Sequence, residues 1–100
     1  MGTDDGIATF EWDDAKDQLN HAKHGVRFEQ ARSAFADPQR QIFADLDHSS
    51  GEDRLFCLGM VDGGVMTDRF TYRDRRIRIS GAAYWRKGQR IYNNGRRSIL

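Results

Sequence analysis

The chain has 100 residues, 38% of them hydrophobic, enough for one domain with a modest core but leaving no room for a separate catalytic domain. Its formal charge of +1 conceals a polarity: residues 1–53 carry 5 bases and 12 acids, and residues 54–100 carry 11 bases and 3 acids, so the two parts sum to −7 and +8. No stretch approaches the roughly 18 uninterrupted apolar residues of a membrane span, and the lone Cys57 excludes an internal disulfide, so a cytoplasmic protein without membrane association is expected.

Residues 1–9 are acidic and without periodicity, and are expected to be flexible; no basic leader runs into an apolar stretch. Phe10-Glu11-Trp12 is a short extended start. Asp13 or Asp14 then offers an N-cap oxygen, and a helix is expected from about Asp14 to His24, with acids in its first turn and Lys23 and His24 in its last. Gly25 can take the left-handed conformation that ends it. Phe28, Ala31 and Phe35 repeat at helical spacing up to Asp37-Pro38, giving a short second helix with a core role. His21, His24, His48 and Cys57 do not form a zinc ligand set, so neither a metal nor another cofactor is expected.

Gln41 to Ala44 reads as a strand, followed by a polar loop from Asp47 to Glu52. The second half reads as an antiparallel meander. Arg54 to Val61, Val65 to Arg73 and Arg76 to Ala82 are its strands, with turns at Asp62-Gly63-Gly64 and Asp74-Arg75. A last helix is expected from about Tyr84 to Asn93, in which Gly88 marks either close packing against another backbone or a weakly formed helix. The expected class is α+β: two N-terminal helices and a C-terminal helix around a small antiparallel sheet.

A two-residue turn at Asp74-Arg75 sets Arg73 opposite Arg76, Thr71 opposite Arg78 and Arg69 opposite Ser80, with Phe70 opposite Ile79 and Tyr72 opposite Ile77. One face becomes apolar and the other cationic. Phe56, Leu58 and Met60 join the apolar side if the preceding hairpin has a three-residue loop. Like charges opposed across strands destabilise the pair, so the arrangement makes sense if an anion relieves it. Guanidinium groups suit phosphate because they bind it bidentately and stay charged. Tyr72, Tyr84, Trp85 and Tyr92 interleave with these cations, a composition found on surfaces that grip RNA or DNA, but Tyr72 and the helix pair Trp85 and Tyr92, seven apart, are expected to face the core. Pairing of the arginines with acids of the first half is the rival explanation.

Trp12-Asp13 with Lys16 and Asn20, then Lys23-His24-Gly25-Val26, Phe28-Glu29-Gln30-Ala31, Phe35-Ala36-Asp37-Pro38 and finally Arg76-Ile77-Arg78-Ile79 occur in an order that resembles the BrnT toxin family from about Phe10 to Tyr92. The resemblance implies a RelE-like fold and a toxin of a bacterial type II toxin-antitoxin pair that inhibits translation by cleaving RNA. Its partner would be a DNA-binding antitoxin, expected to be of ribbon-helix-helix type, so that DNA is reached only through that partner. Many members have Ser-Ala-Arg-Lys after the late strand, where this chain has Gly81-Ala82-Ala83-Tyr84.

Cleavage of RNA without a metal needs a base for the 2′-hydroxyl, cations for the phosphate and an acid for the leaving 5′-oxygen. Arg76 and Arg78, with Arg73, are the candidates for phosphate stabilisation; His24, Tyr84 and Lys87 are the candidates for proton transfer. Arg69, Arg73, Lys16, Lys23, Arg86 and Arg90 are expected to bind RNA. Lys16, Asn20 and Lys23 lie at i, i+4 and i+7, a stripe that meets RNA or faces water. The alternative function is a noncatalytic module that holds RNA or a protein on the arginine face.

Overall fold

The computed structural model describes residues 9–46 and 53–99. The expectations for residues 1–8 and for the loop 47–52 lie outside the described residues, whereas Thr9 begins a strand. In chain order the elements are β1 (Thr9–Glu11), α1 (Asp14–His24), α2 (Phe28–Ala31) continued by a 3₁₀ turn (Arg32–Ala36), β2 (Gln41–Ala44), β3 (Leu55–Val61), β4 (Gly64–Arg73), β5 (Arg76–Ala83) and α3 (Arg86–Ile99). The strands form one sheet in the order β1-β5-β4-β3-β2.

The class is α+β, as expected, but the sheet is mixed rather than antiparallel. Phe10-Glu11-Trp12 is not merely an extended start: β1 pairs in parallel with β5, setting Phe10 beside Ile77 and Glu11 beside Arg78. This edge brings an acidic residue of the first half against the arginines of the second.

Both ends of α1 follow from local chemistry. Asp13, in extended conformation, accepts from the Lys16 backbone N–H, and Gly25 adopts φ 71° while donating to His21 O. The helix docks through polar groups rather than an apolar stripe. Asp17 is buried, ion-paired with Arg27 at 2.8 Å and accepts from Phe28 N at 2.8 Å. Asn20 donates to Val26 O (2.8 Å) and Ala82 O (2.9 Å) and accepts from Ala82 N (3.2 Å), fastening α1 to β5. Asn20 is therefore a buried clamp, while its stripe neighbours Lys16 and Lys23 are exposed.

Opposed residues share a sheet face, so the register sorts the core. Leu55, Cys57, Phe70, Ile77 and Ile79 lie on the face covered by α2 and the 3₁₀ turn, packed with Phe28, Ala31 and Ala34. Phe56, Leu58 and Met60 lie on the other face, opposite Arg69, Thr67 and Val65, which corrects the side expected for them. The cause is turn length: Val61 pairs with Gly64, leaving a two-residue turn, Asp62-Gly63, where three residues were expected. The shift of one position exchanges the two faces.

Among the described residues, α3 covers part of the opposite face. Leu58, Val65 and Tyr92 make a second apolar cluster there. Gly88 lets α3 approach closely, because a Cβ at that position would overlap Thr67 Oγ1 and lie 3.1 Å from Leu58. Gly88 thus marks close packing rather than a weak helix, and α3 runs six residues beyond the expected end at Asn93. Tyr92 is fixed by its hydroxyl, which donates to Asp37 at 2.6 Å; Asp37 also accepts from Met60 N at 2.8 Å. Among the described residues, no helix is long and apolar enough to cross a membrane.

Candidate nucleic-acid interface

The half of the sheet that α3 leaves open carries the arginines. The β4–β5 hairpin sets Arg73 opposite Arg76 and Thr71 opposite Arg78, as the periodicity predicts. Beyond Phe70 and Ile79 the register slips by one: Arg69 faces Gly81, not Ser80. Ser80 is the extra residue of a bulge, and its hydroxyl donates to Arg69 O at 3.3 Å. Arg69 lies on the Arg78 face by the alternation of β4, and the bulge shifts β5 so that Ala82 turns to the core.

These residues border a cleft of about 240 Å³ lined by Asp13, Lys16, Arg54, Arg69, Thr71, Arg73, Arg78, Ile79 and Ser80. Five cations and one carboxylate therefore face a common space. Arg54 was not foreseen, because it shares a face with Phe56 and the reversal of β3 carries it to the cationic side. The cleft's remaining acid, Asp13, faces α1, where its Oδ1 accepts from Lys16 N at 3.0 Å.

Acids of the first half meet this cluster without cancelling it. Glu11 contacts Arg76 and Arg78, each at 3.3 Å, one carboxylate between two guanidinium groups. Its partial burial raises the carboxyl pKa, but the hydrogen bonds and charges of Arg76 and Arg78 outweigh that and hold it below its ordinary value. Arg69 Nε stands 3.9 Å from the buried Asp45, and its guanidinium lies 5.5 Å from the centre of the Phe56 ring. Counting Arg76, Glu11 and Asp45 with the cleft, six cations meet three acids. The rival explanation, pairing in cis, thus holds for part of the charge.

The other sequence-derived candidates lie elsewhere. His24 ends α1 and makes an edge-on ring contact with Trp85 at 5.8 Å, about 12 Å along the helix axis from Lys16. Lys23 is beside it. The Tyr84 hydroxyl donates to Val61 O at 3.0 Å and accepts from Gln30 at 3.3 Å. Burial first, and then the charge of Asp62, push this phenol above its ordinary pKa. Tyr84 is also six residues along the strand from Arg78, about 20 Å. A single phosphate cannot meet both.

Lys87, Arg86 and Arg90 lie on α3 and are exposed. Lys87 lines a second hollow beside the cleft, and Arg69 lines both. Of the three proton-transfer candidates, Lys87 is the one whose surroundings are continuous with the arginines. Tyr92 is core, whereas Trp85 borders the second hollow and Tyr72 is 57% exposed at the hairpin end. Among the described residues, no three His, Cys, Asp or Glu side chains converge as a metal site would require.

A family model described as the ribonuclease toxin BrnT of a type II toxin-antitoxin system matches residues 12–88. The matched span includes the whole cleft and most of the fold. The chain matches no curated protein.

Proposed function

Because the chain belongs to the BrnT family of type II toxin-antitoxin ribonuclease toxins, we propose that it arrests translation by cleaving RNA without a metal, the scissile phosphate resting in the arginine cleft. The observation that carries this reading is the convergence of five cations on one cleft of a sheet face that α3 leaves open. Arg73, Arg76 and Arg78 stabilise charge developing on the phosphate, and removal of one such preorganised donor typically slows a reaction by about 10²–10³-fold. Arg69 and Lys16 bind the adjoining phosphates, and Arg86, Arg90 and Lys23 extend the cationic track. Attack of the 2′-hydroxyl on the phosphate, its proton passing to solvent water, expels the 5′-oxygen and leaves a 2′,3′-cyclic phosphate. Lys87, reached through Arg69, supplies the proton to the leaving oxygen. His24 orders the Trp85 ring beside the track, and Tyr84 holds the β3–β4 turn that supports it.

In this reading the fold is RelE-like in layout, and a DNA-binding antitoxin of ribbon-helix-helix type neutralises the toxin in the cytoplasm. A binding module that does not cleave is favoured by one observation, the distance of Tyr84 and His24 from the arginines. Purified protein incubated with RNA in EDTA separates the two: new termini bearing cyclic phosphate support cleavage, and binding with intact RNA supports the module. Arg76→Ala combined with Arg78→Ala should abolish both cleavage and growth arrest while the protein stays folded. Undiminished toxicity from that soluble variant would reject the assignment.

A further inference from the structure

The hollow beside the cleft has a volume of about 390 Å³ and a different chemistry. Phe43, Phe56, Leu58, Trp85 and Ile91 give it an apolar surface, and its two charged lining residues, Arg69 and Lys87, are both cations. Phe43 is 42% exposed and Trp85 38%, so large apolar area stands open to water where two elements meet, the β2–β3 hairpin and the first turns of α3. No acid lines it. We propose that this groove is where the antitoxin docks, through a segment presenting large apolar side chains flanked by Asp or Glu; the inference rests on the toxin reading above.

Charge and shape select that occupant. RNA reaches the rim of this groove, at Lys87 and the Trp85 ring, but Leu58 and Ile91 offer neither a stacking plane nor a donor, so the apolar floor is better used by the side chains of a protein segment. A second copy of the chain bound about a twofold axis would set Arg69 and Lys87 against their own equivalents, like charge against like. An acidic-apolar segment satisfies both features at once: its apolar side chains fill the floor and its carboxylates meet Lys87 and Arg69. Because Arg69 also lines the catalytic cleft, an acid that reaches it lies at the entrance to the phosphate site. Docking in the groove would therefore exclude RNA by occupying a shared cation, without rearrangement of the fold.

The test uses the full chain and, as probe, the product of the small reading frame adjacent to its gene. Phe43→Ala with Ile91→Ala removes apolar area from the groove and adds no charge beside Arg69 or Lys87. The expected result is at least a 100-fold loss of affinity for the probe and loss of its protection of cells, while the variant alone still arrests growth. A separate measurement needs no disruptive change: in a Trp12→Phe background, adding the probe should shield Trp85 from acrylamide quenching. Unchanged affinity of the double variant, or unchanged quenching in a formed complex, overturns the groove assignment. Weakened RNA cleavage at unchanged probe affinity also overturns it, in favour of RNA, and a dimer that the double variant dissolves overturns it in favour of a second copy. A wild-type protein that binds no such product refutes the docking inference, and if it also fails to arrest growth the toxin reading falls with it.

Discussion

Asn20→Ala tests whether the Lys16-Asn20-Lys23 stripe is an RNA contact or, at its centre, a structural clamp. The side chain makes three hydrogen bonds, to Val26 O, Ala82 O and Ala82 N. Its partners sit in residues that are 0–1% exposed, so water is poorly placed to replace the lost bonds. At about 1 kcal/mol per neutral bond the deletion costs about 3 kcal/mol. The better helix propensity of alanine returns about 0.6 kcal/mol, leaving a net loss of about 2.4 kcal/mol. With a urea m value of about 1.2 kcal/mol/M for a domain of this size, the midpoint should fall by about 2 M. Asn20→Asp keeps the shape and the acceptor for Ala82 N but aims a carboxylate at two carbonyls, so it should be at least as damaging. Lys16→Ala and Lys23→Ala should stay within about 0.5 kcal/mol of wild type. A midpoint unchanged in Asn20→Ala, accompanied by weaker RNA binding, would refute the clamp.

Three further outcomes follow from buried or strained groups. Asp68 is 0% exposed on the core face, neither of its carboxyl oxygens has a hydrogen-bond partner, and burial holds its pKa well above the ordinary value. A carboxyl with a raised folded pKa keeps its full stabilising effect below the unfolded value of about 4 and loses it as pH climbs toward the folded value. Asp68→Asn should therefore gain stability relative to wild type between pH 4 and pH 8 in paired urea titrations; a difference independent of pH would contradict this. Asp74 and Arg75 make the β4–β5 turn with φ of 52° and 66°, a conformation that costs an L residue roughly 1–2 kcal/mol and glycine little. Arg75→Gly should raise stability by about 1 kcal/mol, seen as a later thermal midpoint; an earlier midpoint would show that the Arg75 side chain stabilises the turn. Cys57 is buried and its thiol is pushed up to about 12, first by burial and then by Asp68. A thiol reagent should modify it only as fast as the protein opens, and stoichiometric labelling of the native state within minutes would show otherwise.

The sequence showed most where a local signal fixes the geometry. The bounds of α1 follow from Asp13 and Gly25, one at each end, and the hairpin around Asp74-Arg75 follows from a turn too short for any other register. Arg69, Arg73, Arg76 and Arg78 were recognisable as one face for the same reason. The side taken by β3 was not, because apolar residues occupy both parities, Phe56 and Leu58 as well as Leu55 and Cys57, and period-two contrast vanishes. Arg54 was lost with it. The parallel pairing of β1 and the acids Glu11 and Asp45 beside the arginines depend on contacts across most of the chain. The bulge at Ser80 leaves only a run of small residues, Gly81-Ala82-Ala83, as its trace.

Glu11 makes the arginine face readable by mutation. Arg73 and Arg76 are opposed in register, and like charges in that position destabilise a strand pair, so an isolated cluster would weaken the hairpin that carries it. The shared carboxylate of β1 offsets this, because it touches Arg76 and Arg78 together while leaving the cleft with an excess of cations. Replacing Arg76 alone keeps the Glu11–Arg78 contact and removes the opposition to Arg73, and the two changes have opposite signs in stability. A loss of toxicity in Arg76→Ala at unchanged unfolding midpoint then reports on the anion rather than on the fold. Replacing Glu11 has the reverse logic: it weakens the hold on β5, yet frees two guanidinium groups for phosphate, so stability and RNA affinity should move in opposite directions from a single charge.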